Sequence, residues 1–129
     1  NLMKTERKLG VWMDHSIAHL MELTDKPFEI ETIESEFDHE DKEESLTKGE
    51  SLMHNKEQHS QLKYFKKLSH EIQNFHHVVL FGPTTAKQEL FNLLSKDHNF
   101  MKTNIEVKDT DKMTPKQQEA FVREYFSEV

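Results

Sequence analysis

Asp14 stands at the end of the apolar run 9–13, at or just past the close of what reads as a strand. A carboxylate there suits two-metal phosphodiester hydrolysis, which needs several acids converging on two divalent ions. Glu57 or Glu71, on a later helical stretch, are the candidate partners. The apolar run 78–81, however, leads into Leu80-Phe81-Gly82 and offers no acid where a second metal-binding carboxylate is expected. A lone aspartate after a strand is more often a turn former that bonds its own backbone, and Asp14-His15-Ser16 has that chemistry.

A second candidate is the stretch from Gly82 through Thr84 and Thr85 to Lys87, which breaks an apolar strand and opens a helix. Free N–H groups at such a helix start form a generic anion site. Gly-Pro-Thr-Thr-Ala-Lys is neither a Walker loop nor a G-x-G-x-x-G dinucleotide turn, so strand-to-helix punctuation is the simpler reading. Nine histidines include His15, His19, His54, His59, His70, His76, His77 and His98. None forms H-E-x-x-H or a recurring ligand spacing, and scattered surface histidines are expected, with no metal and no cofactor. The chain has no cysteine and no G-x-S-x-G elbow, which sets nucleophilic catalysis aside.

The elements that must carry these residues are legible from periodicity. Residues 9–13 are nearly all apolar, as in a strand covered on both faces. In 17–23, Ile17, His19, Met21 and Leu23 share one face, and Ala18, Leu20 and Glu22 the other. Residues 28–33 alternate and slip phase at Ile33, which points to a bulge or strong curvature. Short turns at 14–16 and 25–27 make these three strands an antiparallel meander.

From Lys56 the pattern becomes helical, with Leu62, Phe65, Leu68, Ile72 and Phe75 forming one apolar stripe. Residues 78–81 follow as a fully apolar strand, then a helix with Leu90, Leu93 and Leu94 inward and a Thr85–Gln88 capping box. Ile105 and Val107 alternate with Glu106 and Lys108, as on a sheet edge. Thr114-Pro115-Lys116-Gln117 is an N-cap, a first-turn proline and a capping-box glutamine in order. The β-β-β-α-β-α-β-α order predicts an α/β domain of ribonuclease H-like layout, a five-stranded mixed sheet in the order 3-2-1-4-5 with helices on its faces.

Composition limits the partners. The 129 residues suffice for a single domain with a real core, and 34% apolar against 32% charged residues describes a polar-surfaced globular chain. No run approaches the length of a membrane span, and no secretion signal leads the sequence, so a cytoplasmic protein without membrane contact is expected. Met3 is the expected natural start. The net charge is −7, and residues 34–44 alone hold seven carboxylates and one lysine. A broadly basic nucleic-acid surface is thereby excluded. The stretch 35–55 has no apolar periodicity, and a connection of that length in a small domain is more often functional than an ordinary loop. Lys56, Lys63, Lys66 and Lys67 flank the apolar stripe of the helix that follows it.

Gly10-Val-Trp-Met-Asp14, the strand 17–23, and Leu80-Phe81-Gly82-Pro83-Thr84-Thr85-Ala86-Lys87-Gln88-Glu89-Leu90 together give the chain a resemblance to a known domain. It resembles the middle domain of the class 1 peptide-chain release factor of archaea and eukaryotes, and its small stand-alone bacterial relatives, over about residues 9–126. In that family the loop between the third strand and the first helix carries a Gly-Gly-Gln tripeptide that promotes peptidyl-tRNA hydrolysis in the ribosome. Here the corresponding loop is 35–55, its one glycine is Gly49 between Lys48 and Glu50, and no Gly-Gly-Gln occurs anywhere. The resemblance therefore implies a non-enzymatic, translation-related protein that meets the ribosome or tRNA through Lys48, Gly49, Lys56, Lys63, Lys66 and Lys67. The alternative is a protein-interaction or stress-response module with a protein partner and no nucleic-acid contact.

Overall fold

Leu9, Val11 and Met13 alternate with Gly10 and Trp12 along one strand, and that alternation divides the interior into two cores. The computed structural model describes residues 6–35 and 50–127. Its elements are β1 (Lys8–Met13), β2 (Ile17–Leu23), β3 (Ile30–Glu34), α1 (Glu50–Ile72), β4 (His77–Gly82), α2 (Ala86–Leu94), a 3-10 turn (His98–Phe100), β5 (Asn104–Asp109) and α3 (Pro115–Ser127). They form one sheet in the order β3-β2-β1-β4-β5, antiparallel on the hairpin side and parallel where β1 meets β4 and β4 meets β5. The mixed sheet and the strand order are those the sequence predicts.

Helices α1 and α2 cover one face, burying Tyr64, Phe65, Leu68, Ile72, Leu90 and Leu94 against Leu9, Val11, Leu20, Val78 and Leu80. Helix α3 covers the other, where Val122 and Phe126 meet Trp12, Met21, Val79 and Phe81. Phe121 stacks on Phe81 with ring centroids 4.3 Å apart. The two inner strands β1 and β4 are buried from their second residue onward, whereas β5 is half exposed and β3 nearly fully so, as edge strands are.

Several local expectations are corrected. The third strand begins at Ile30 and pairs with β2 in unbroken register from Met21↔Ile30 to Ile17↔Glu34, with no bulge. The phase slip arises because its apolar residues change sides: Phe28 packs towards the α3 core before the strand starts, and Ile33 packs against the α1 core. Helix α1 begins at Glu50, so residues 50–55 are helical, and Phe75 lies beyond its last turn. Leu62 is 53% exposed and Tyr64 takes its place inside. At 100° per residue Leu62 points about a third of a turn away from Leu68, outside the buried stripe.

The expected capping box at Thr85 does not form. Thr85 already has helical backbone angles (φ −81, ψ −1), so its hydroxyl does not face the first free N–H groups. It donates instead to Glu89, Thr84 Oγ1 accepts from the Ala86 N–H, and Gln88 bonds Asn92. The box at Thr114 does form: Gln117 N–H donates to Thr114 Oγ1 (3.3 Å) and Thr114 N–H to Gln117 Oε1 (2.9 Å). Replacing Thr114 by alanine is expected to cost about 1 kcal/mol in urea unfolding, with an unchanged denaturant slope. A loss below the error of the fit would show that Pro115 alone starts the helix.

Candidate functional site

Among the described residues, the members of the two predicted groups lie on α1 and at the β4–α2 turn, and they are separate from each other. Gly82 to Lys87 cluster where the parallel strands end, with the β1–β2 turn and Asp109 of β5. In an open α/β sheet this carboxyl end is where ligands usually gather. Asp14 Oδ1 accepts from the N–H groups of Ser16 (2.7 Å) and Ile17 (2.9 Å), so its carboxylate builds the turn. Its carbonyl accepts from the buried Tyr64 hydroxyl at 2.9 Å, which fastens α1 to the same turn. Burial, with the nearby Asp14 charge, pushes that phenol above its ordinary range, so it is a permanent donor.

Glu89 joins the two halves of this edge. Its Oε2 is 2.9 Å from His15 Nε2 and accepts the Thr85 hydroxyl at 2.9 Å. Histidine and threonine thus share one carboxylate oxygen, which is not the nucleophile-to-histidine relay that a hydrolytic triad needs. Partial burial raises the Glu89 carboxyl, but the hydrogen bonds from His15 and Thr85 and the His15 charge outweigh it and hold it below the usual value. A lowered carboxyl stabilises the fold above its unfolded pKa and loses that contribution as pH falls through the folded value. Glu89→Gln should therefore reduce stability near neutrality by well under about 1 kcal/mol, since both groups are largely exposed. Wild type and variant should converge on acidification to about pH 3 in denaturant titrations; a gap that persists there would exclude the ionic account.

Lys87, only 3% exposed, is directed inward across the same edge. Its ammonium donates to the Thr84 carbonyl and lies 2.9 Å from Asp109 Oδ1. Two carboxylates, Glu89 and Asp109, thus accompany the single ammonium at the Gly82–Lys87 turn.

The α1 lysines lie elsewhere. Lys63, Lys66 and Lys67 are exposed. Lys67 and His70 line a cleft against β3 with Glu31, Ile33 and Glu71, and Lys66 borders both that cleft and a groove towards α2. Burial, then the charge and hydrogen bond of Glu71, raise the Glu31 carboxyl on the edge strand. Lys56 falls within α1, and Lys48 and Gly49, with most of the acidic stretch, lie outside the described residues.

The histidines have different partners: His15 meets Glu89, His19 Gln118, His76 the Arg7 N–H, His77 Glu6 and His98 Met101. Among the described residues no group of three potential ligands could hold a metal ion, and no helix is long and apolar enough to cross a membrane. Sequence reasoning missed Glu89, Tyr64 and Asp109 as parts of the strand-end cluster. Apart from Thr85, four residues before Glu89, their partners are 22 or more residues away.

No family model matches the chain, and no curated protein matches it. Solved structures do. Pelota from Archaeoglobus fulgidus superposes with a TM-score of 0.61 at 11% identity, over 94% of this chain and 32% of that one. Pelota from Thermoplasma acidophilum gives 0.58 at 11% identity, over 95% and 34%. The archaeal translation termination factor aRF1 gives 0.55 at 17% identity, over 88% and 32%. The chain spans about a third of the length of each of these proteins. It has the fold of a single domain of Pelota and aRF1.

Proposed function

We propose that this protein is a translation-related binding domain that associates with the ribosome or tRNA and does not hydrolyse peptidyl-tRNA. The observation that carries this reading is the fold shared with archaeal Pelota and aRF1 over 88–95% of the chain. With only three glycines, none adjacent to another, the sequence has no Gly-Gly-Gln with which to promote release. Contact would run through residues 35–55, including Lys48 and Gly49, and through Lys56, Lys63, Lys66 and Lys67 of α1. Residues 58–70 contain three lysines and no carboxylate, which makes this helix face locally basic in an acidic chain. The Gly82–Lys87 turn is a lesser candidate for an anion, because Glu89 and Asp109 stand beside it.

Co-sedimentation with purified ribosomes at low and moderate salt tests the reading. Association should weaken as salt rises, and Lys63→Glu with Lys67→Glu should reduce it about tenfold or more. No association at either salt would sink it. The overall charge of −7 favours the other reading, a protein-interaction module, which would retain protein partners in a pull-down but no RNA.

A further inference from the structure

Lys66 apart, the groove between α1 and α2 is not used by the translational reading, and it has an amphipathic character. It encloses about 510 Å³ and is lined by Lys66 and Ser69 of α1, Leu93 at the end of α2, and Lys96 and His98 just beyond. Leu62 lies one turn before Lys66 on the same α1 stripe. Of the four large apolar side chains that the described residues expose, Leu93 lines the groove. Leu93 is 40% exposed; Leu62, at 53%, lies one helical turn from the lining residue Lys66, and Met101, at 75%, has its sulfur 3.2 Å from Nδ1 of the lining residue His98. The fourth, Ile30, belongs to the far edge strand. An exposed leucine in a concavity with a polar rim and further exposed apolar side chains one turn away is the kind of surface that receives another protein.

The rim supplies the sign of the partner's charge. Lys66 and Lys96 face the groove, and neither has an ion-pair partner among the described residues. The one carboxylate in the groove, Asp97, is engaged: its Oδ1 accepts from the Asn99 N–H at 2.9 Å and caps the 3-10 turn. The groove is therefore a net basic site on an acidic protein. A bare phosphate backbone would satisfy the lysines and leave Leu62 and Leu93 in water, and the lining holds no Phe, Tyr or Trp on which bases could stack.

We propose that the α1–α2 groove docks an acidic amphipathic helix of a partner protein, with its apolar face on Leu62 and Leu93 and its carboxylates against Lys66 and Lys96. This is the helix-in-groove mode, with anchors spaced at i, i+3 or i+4, and i+7.

Random displayed peptides of about 16 residues, roughly four helical turns, test this when selected on the full chain. The counter-selection uses a Leu93→Asp, Lys96→Glu variant. Both positions are exposed, and the variant's cooperative unfolding checks its fold. The expected result is a set of clones rich in Asp and Glu, with Leu, Phe or Met at helical spacing, that bind the wild type at least about tenfold tighter than the variant. Recovery of no variant-sensitive clone, or of basic clones, overturns the proposal. So does binding of oligouridylate that the same two substitutions abolish, which would make the groove a phosphate site. Leu93 and Lys96 lie outside the proposed ribosome contacts, so this proposal and the translational one can fail separately.

Discussion

Gly82→Ala is expected to be the most damaging single-methyl addition in the described fold, costing about 3–5 kcal/mol or preventing folding outright. Gly82 ends β4 with φ +147, a backbone conformation that side-chain-bearing residues rarely adopt. A Cβ there would sit 2.2 Å from the Met13 carbonyl oxygen and 3.2 Å from its carbon. The obstruction is backbone and cannot rotate away. Met13 closes β1, is fully buried and pairs with Ala18 of β2, while the Gly82 carbonyl accepts from the Thr110 N–H at 3.2 Å. Moving either strand end would disturb the β1–β2 turn at Asp14, β5 and the turn that carries Thr84 and Lys87. A typical domain has only about 5–15 kcal/mol of stability, so poor recovery of soluble protein or a large fall in the urea midpoint is expected. A variant within about 1 kcal/mol of wild type would refute the steric account.

Gly10→Ala should also destabilise, by about 2–3 kcal/mol, but for a reason that a second substitution can relieve. Gly10 faces α3, and an added Cβ would lie 2.2 Å from Val122 Cγ2 and 2.9 Å from Val122 Cγ1. The obstacle is one fully buried side chain. Val122→Ala alone should cost about 2 kcal/mol by leaving a void. The double variant should be more stable than the sum of the two losses implies, by about 1 kcal/mol or more, because the new methyl occupies the vacated space. Strict additivity in a double-mutant cycle would mean that Gly10 does not set the approach of α3. No corresponding substitution at Met13 could rescue Gly82→Ala, since a carbonyl oxygen cannot be deleted.

The amino-acid sequence by itself determined whatever depends on residues a few positions apart. The continuous apolar character of 9–13 and 78–81 marked the inner strands, the alternation at 105–107 marked an edge, and Thr114, Pro115 and Gln117 marked a helix start that the structure shows bond for bond. Because short connections admit few topologies, this local information was also enough for the order 3-2-1-4-5. Tertiary structure alone decided the absolute facing of each element. Periodicity gives the width of an apolar stripe but not the distance to what covers it, so Tyr64 is buried by its hydrogen bond to the Asp14 carbonyl and Leu62 is left outside. The meeting of His15 with Glu89, of Lys87 with Asp109, and of Lys66 with Leu93 and Lys96 likewise exists only once the sheet is assembled. Those pairings join residues 22 to 74 positions apart or on different helices, where no sequence periodicity links them.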